Sequence, residues 1–441
     1  MSLYQLERDR NLNELVETLQ QSDNPSIRYR AAEIIGGLFE SDDIKSAGLS
    51  MNSEQTGELT IGAERGEFGE TESAVDVLVS VVCEDDDDRV RAAAIDAIDT
   101  HGQEALEQVV TALSDKEIEG ASDWVTARAF ADVIEDPQPE LRMAAATGLG
   151  RVGDSSVTEP LIDRLGDSDP RVRTRSAVAC GRIRDPRAVE PLEKRVQIDP
   201  NVDVRKAAVE ALGEIKTQGS LAVLLEAADD PNESIRHVIA DALGMFGSVS
   251  PVETLGGYLS DTSEPVRRTA MFSMVEILSN APAQQSHSIR ERTAKTLEAA
   301  TAAEVIPPLA EILRDSSGTP QRRNAAWLLG QVTGTENHDI ARRALIDALN
   351  AEDMMTAQFA ATSLTEIDTP QLESELLALV RDRDAGEAAR SKALFVLGKV
   401  GTERTQTALG EFVDQTQSET LRQQAFSALS KLGGIGGSER P

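Results

Sequence analysis

The chain has 441 residues, with 44 Lys and Arg against 76 Asp and Glu, a formal net charge of −32. That charge argues against a general nucleic-acid binder and against adhesion to anionic membranes, and no apolar run approaches the ~20 residues of a membrane helix. No basic-flanked apolar stretch reads as a signal peptide, and the two cysteines, Cys83 and Cys180, lie in apolar helical patterns and make no disulfide framework. These features predict a cytoplasmic chain with reduced, buried thiols and no membrane insertion. Aromatic residues are only 3 %, which suits helices packed through small side chains.

Residues 1–40 read as one N-terminal repeat centred on Ile27-Arg28. Residues 41–73 show no sustained apolar periodicity. They are expected to form an acidic flexible insertion that replaces a lost repeat, or a degenerate repeat. Residues 74–432 read as a continuous repeat array, and 433–441 as a flexible tail. Within the array, Leu141-Arg142, Val172-Arg173, Val204-Arg205 and Ile235-Arg236 each begin an apolar-Arg segment rich in small residues, with Gly eight positions after the Arg. These arginines are 31, 32 and 31 residues apart, and Arg267 follows 31 later. Looser copies sit at Val90-Arg91, Arg322, Ala357, Arg390 and Leu421-Arg422, about eleven units in all. Such a period signals a repeat architecture before anything else. Two stretches break it. Residues 103–135 hold two helical patterns, and the gap of 55 residues from Arg267 to Arg322 has room for an extra helix near 287–301.

Inside one unit the signals are those of a helix pair. Residues 158–165 form a short amphipathic helix and 166–170 a turn. Asp169 is placed as N-cap with Pro170 at the first helical position. A second helix covers 172–180, and Gly181 falls where a Gly helps the chain leave the helix. Neither helix buries its apolar stripe alone, so the units must stack.

The motif D-x-D/N-P-x-V-R-x-x-A-x-x-A-L-G, best kept at 167–181, 199–213 and 230–244, resembles the short HEAT-like repeats of bacterial and archaeal proteins. The resemblance implies an all-α, right-handed α-solenoid of about eleven HEAT-like helix pairs. It also implies that the second helix of each unit lines a concave face. Nine of the 44 basic residues are Lys, and acidic excess with Arg preferred to Lys resembles proteins of halophilic archaea. At molar salt the Debye length is about 3 Å, which screens most of the self-repulsion of such a chain.

Little in the sequence points to catalysis. His101, His237, His287 and His338 are not followed by Glu, whereas the HEAT-like deoxyhypusine hydroxylases bind iron through His-Glu pairs. There is no Cys–His metal spacing, no H-E-x-x-H, no P-loop and no G-x-S-x-G. No residue is therefore assigned a catalytic, cofactor-binding or metal-binding role. The acidic run 84–88 reads as a cation site or as charge complementing a helix N-terminus. The repeated Arg reads as an anion ladder or as a structural pairing with turn aspartates.

Two features suggest a binding face. Residues 171–206 carry ten bases against five acids, whereas 40–88 hold fifteen acids and two bases. The two positions after each ladder Arg (Thr174/Arg175, Lys206/Ala207, His237/Val238, Arg268/Thr269, Arg323/Asn324) are expected to be exposed as a modest basic stripe. Five positions after the ladder Arg, the chain places Glu33, Asp96, Thr147, Val178, Glu210, Asp241, Phe272, Trp327, Thr362, Phe395 and Ser427. Exposed aromatics there suit interface anchors. Partner-binding candidates are Arg175, Arg182, Lys206, Arg268, Phe272, Arg323, Trp327 and Phe395. The expected function is a non-enzymatic adaptor that holds one or more proteins on the concave face, without a cofactor. The opening residues resemble HEAT-like adaptors of haloarchaeal taxis signalling. The alternatives are a nucleic-acid-binding HEAT-like protein of the DNA-glycosylase type, or a bilin or cofactor lyase.

Overall fold

A computed structural model describes residues 2–48, 74–114, 123–332, 338–367 and 370–433. The expectations for most of 41–73 and for the tail after 433 fall outside the described residues. Among those described, regular structure is entirely helical, with 25 α-helices, three short 3-10 turns and no strand. The chain divides into two compact units, Met1–Val223 and Leu224–Pro441.

In the first unit the repeat-bearing second helices are Pro25–Gly48, Asp88–His101, Pro139–Val152, Pro170–Ile183 and Val202–Ile215. In the second they are Glu233–Gly244, Glu264–Ser279, Thr319–Gln331, Met354–Leu364, Glu387–Val400 and Glu419–Gly433. Within each unit, successive second helices pack side by side, and all but Glu233–Gly244 are backed by a first helix of their own repeat. Leu, Ile, Val and Ala from both layers fill the space between them, as at Leu161, Val172, Leu192, Val204 and Leu212.

The turn between the helices shows why the acid pattern recurs. Asp169 caps the helix Pro170–Ile183 by accepting the Arg171 N–H at 2.8 Å, and Pro170 stands in its first turn. Asp167, two residues earlier, accepts the Asp169 N–H at 2.9 Å. It also receives Arg142 of the preceding repeat in a two-pronged contact, 2.8 Å at each oxygen. Arg173 repeats the arrangement one unit on. One of its terminal nitrogens donates to the Asp167 carbonyl at 2.9 Å, and its other prongs meet Asp199 at 2.8 and 2.9 Å. Arg142 and Arg173 thus each tie their own turn to the next one, whereas among the described residues Arg205 bonds only the carbonyl of its own turn. Arg28 with Asp85 and Arg236 with Asp261 follow the same plan. Where the acid is replaced, as at Ser316 and Thr416, the arginine keeps its bond to the backbone carbonyl. The repeated Arg is therefore a structural ladder.

Burial pushes the Asp167 and Asp199 carboxyls up. The bonds from Arg142 and Arg173 and from backbone N–H groups outweigh it and hold both below the usual carboxylate range. At Asp261 the Arg236 bond is the largest influence, with the same result.

The repeated glycine has a role other than the expected one. Gly181 is not a helix terminus, because the helix continues to Ile183 and Arg184 closes it in the left-handed region at φ 59. A Cβ on Gly181 would lie 2.8 Å from the Cα of Ala211 in the next second helix. The relation recurs at Gly36 with Ala97, Gly150 with Ala179, Gly244 with Ser273, Gly330 with Ser363 and Gly398 with Ala428. In each case the Gly eight positions after one repeat position meets the residue six positions after the next. The glycine is there for close backbone approach.

The irregular stretches add helices. Gln103–Ser114 and Asp123–Val133 both pack on Pro139–Val152, so that repeat has three helices. The extra helix expected near 287–301 is Ser286–Glu298. At the N-terminal end, the helix Pro25–Gly48 runs beyond residue 40 and packs directly on Asp88–His101. Arg28 reaches Asp85 across that junction, so these two repeats stack directly despite the segment between them.

Candidate functional site

The register of the second helices decides which positions are free. Residues two and six positions after the ladder site face the preceding second helix. That is why Ala207 and Asn324 are buried, against the expectation for both, and why the Asn324 amide donates to Ser279 at 3.1 Å. Positions one and five after the ladder site form the outward face. Glu33, Asp96, Glu210, Asp241, Phe272, Thr362 and Ser427 are exposed there, and Val178, Trp327 and Phe395 are half-buried. Thr147 departs from this pattern and is buried.

Thr147 is buried because the first unit bends over it. Every residue from Glu140 to Gly150 is buried. The helices before and after, Asp88–His101 and Pro170–Ile183, meet across this face. Arg171 donates to the Asp88 carbonyl at 2.7 Å, Arg175 pairs with Asp96, and Arg182 meets Asp99 at 3.0 Å. Arg151 joins Asp99 from the covered helix, also at 3.0 Å. The basic stretch after residue 170 is thus met by the acidic helix that begins at Asp88. Beside this closure is a groove of about 560 Å³, lined by Tyr29, Arg89, Asp96, Arg171, Arg175 and Asp203 among others.

The acidic run is also matched. Asp85 and Asp86 bind Arg28, and Asp88 binds Arg91. Asp87 caps the helix Asp88–His101 and pairs with Arg89, whose side-chain bond is the main cause holding the Asp87 carboxyl at about 2. These acids serve the ladder and a helix N-terminus. Among the described residues, no group of three or more His, Cys, Asp or Glu is placed to hold a metal ion. Burial pushes the Cys180 thiol up to about 12, which makes it a poor nucleophile. Cys83, expected to be buried, is exposed.

The remaining candidates take different positions. Lys206, half-exposed, lies 3.9 Å from Asp203. In the second unit Arg268 and Phe272 lie one turn apart, Arg268 pairs with Glu311, and Phe272 is 45 % exposed. With Pro308 and Ile312 they line a cavity of about 270 Å³. Arg323 grips Asp353 at 2.8 and 2.6 Å. Trp327, one turn on, is covered by Arg290 from the extra helix, whose guanidinium lies 5.1 Å from the ring centre. Phe395 has the Lys431 ammonium at 5.5 Å.

Arg290, Lys392, Lys431 and Phe426 are not among the residues expected from the sequence. Lys392 donates to the Gln358 side chain of the preceding second helix, and Phe426 is 55 % exposed. Arg290 was hidden because its helix lies outside the period. Lys392 stands two positions after the Arg390 site and was legible from the same register as Arg175.

Models of HEAT repeats match residues 127–202, 194–275 and 342–430. The stretch 276–341, with the extra helix, lies outside those matches. The chain is 39 % identical, over an alignment 465 positions long, to a HEAT repeat-containing taxis protein of Halobacterium salinarum, and the alignment covers 98 % of this chain and 99 % of the relative.

Proposed function

The chain belongs to the HEAT-repeat family, and on that premise we propose that it is a non-enzymatic scaffold that holds another protein on the outward face of its second helices, in the cytoplasmic machinery of taxis. The observation that carries this reading is the likeness to the taxis protein along nearly the full length of both chains. A repeat array supports it physically, because stacked helices present one extended surface built from many equivalent positions. Within each unit the register of the second helices leaves positions one and five exposed or half-exposed in most repeats, with Met143 and Thr147 buried. No helix among the described residues is long and apolar enough to cross a membrane.

The test is a clean deletion followed by a swim-plate assay and cell tracking. Loss of directed movement with intact motility supports the proposal. Wild-type responses to attractants and repellents would remove the chain from taxis.

A further inference from the structure

Both units hold arginines in ion pairs, but three cations of the second are held otherwise. In the first, Arg171, Arg175 and Arg182 all meet carboxylates or carbonyls of the helix Asp88–His101. In the second, three cations stand beside aromatic rings or amides instead. Arg290 covers Trp327 and bonds the Asn324 amide oxygen at 3.3 Å. Lys431 lies over Phe395, and Lys392 bonds the Gln358 amide. Among the described residues none of these three is in an ion pair, in a chain with 76 acids to offer.

The composition of the helices reinforces this. Thr319–Gln331 holds Arg322 and Arg323 and no acid. Glu387–Val400 sets Arg390, Lys392 and Lys399 against Glu387 alone. Glu419–Gly433 sets Arg422 and Lys431 against Glu419. The first helices behind them run the other way. Glu403–Gln415 has three acids against Arg404, and Pro370–Arg381 has two against Arg381. A cation above an aromatic face keeps its charge while its position is fixed. Such a pair offers an incoming chain an apolar ring and a positive charge together.

We propose that the second-helix face of the second unit, around Trp327, Phe395, Lys392 and Lys431, binds an acidic segment of a partner protein that also carries apolar side chains. This rests on the scaffold reading above. Carboxylates of the segment would meet Arg290, Lys392 and Lys431, and its apolar residues would cover Trp327, Phe395 and Phe426. Two helix spacings separate Trp327 from Phe395, roughly 16–20 Å. An extended segment of about six residues crosses that distance. Nucleic acid fits less well. Its affinity rests on counterion release and collapses at high salt, whereas direct ion pairs beside apolar anchors persist when the Debye length is about 3 Å.

The experiment measures fluorescence anisotropy with the full chain in molar KCl. Three labelled probes are compared: a synthetic peptide of alternating Glu and Leu, the same peptide with Lys for Glu, and single-stranded oligothymidine of similar length. The acidic peptide should bind best. The double variant Lys392→Glu/Lys431→Glu should weaken it roughly tenfold or more, because like charges then face each other. Lys392→Arg/Lys431→Arg should retain it, with an unchanged melting curve for both variants as the folding control. Stronger binding of the Lys peptide or the oligonucleotide overturns the proposal. So does failure of the acidic peptide to bind, or unchanged affinity in the charge-reversed variant. Affinity capture separates this inference from the scaffold reading. If the charge-reversed variant captures the wild-type partner equally well, this placement falls and the scaffold stands. If the wild-type chain captures nothing, the scaffold itself falls.

Discussion

Arg173 and Asp199 form a two-pronged pair at 2.8 and 2.9 Å, with side chains 10 % and 0 % exposed, while the same guanidinium holds the Asp167 carbonyl at 2.9 Å. One side chain therefore fixes two turns. Removing it leaves a buried carboxylate with only the longer contact to Arg195, at 3.5 Å, and breaking a buried pair typically costs about 3–5 kcal/mol. Arg173→Met should lower the urea midpoint of unfolding sharply. Arg205→Met is the comparison, since Arg205 bonds the Asp199 carbonyl at 2.9 Å, and it should lower the midpoint less. Equal losses would show that the carboxylate contact adds nothing.

The glycines separate into two kinds. A methyl at Gly181 meets the Ala211 backbone at 2.8 Å, whereas a methyl at Gly410, in the helix Glu403–Gln415, meets nothing within 4 Å. Gly181→Ala should destabilise by about 1–3 kcal/mol, because two backbones must move apart. Gly410→Ala should stabilise by about 0.5–1 kcal/mol through helix propensity. Thermal melts of both variants at constant salt test the contrast.

The paired aspartates set an acid limit. Asp167, Asp199 and Asp261 have carboxyls held below their usual range in the folded chain, and Arg187 is the main cause holding Asp185 at about 2. A depressed folded value means the carboxylate binds protons less readily folded than unfolded. Its stabilisation is present above the unfolded value near 3.9 and is lost as pH falls toward the folded one. Unfolding midpoints should be flat from neutral pH to about 5 and fall from about 4 toward 2. Asp261→Asn should be less stable at neutral pH and show a shallower acid decline.

The closure over Pro139–Val152 rests on Arg175 with Asp96 and on Arg182 and Arg151 with Asp99. Asp99→Lys replaces these attractions with repulsion. Amide hydrogen exchange in residues 139–152 should then accelerate. The effect should be larger at low salt than at molar KCl, because partly exposed pairs are screened. Unchanged exchange would show that apolar packing alone keeps this helix covered.

Much of this fold is legible in the sequence because each repeat uses local chemistry. Asp169 caps, Pro170 starts a helix, and Arg173 recurs at a fixed spacing. The glycine was harder, since Gly181 near a helix end suits a turn equally well until the neighbour at Ala211 is known. The closure was not legible at all. Arg175 and Asp96 are far apart in sequence, and their meeting depends on how sharply the first unit bends. Of the candidate face, the column that ends in Phe272, Trp327 and Phe395 could be read from the period. The cations beside Trp327 and Phe395 come from neighbouring helices and follow no single register.

We propose that the outward face of the second helices holds a partner protein. Affinity capture with the full chain at native molar salt, followed by mass spectrometry, tests it most directly. Arg268→Ala/Phe272→Ala is run beside the wild type, since both side chains are well exposed, at 62 % and 45 %. A reproducible protein partner is expected for the wild type, reduced in the variant while its melting curve stays unchanged. A wild-type chain that captures nothing specific, or a partner retained after every substitution on this face, would contradict it.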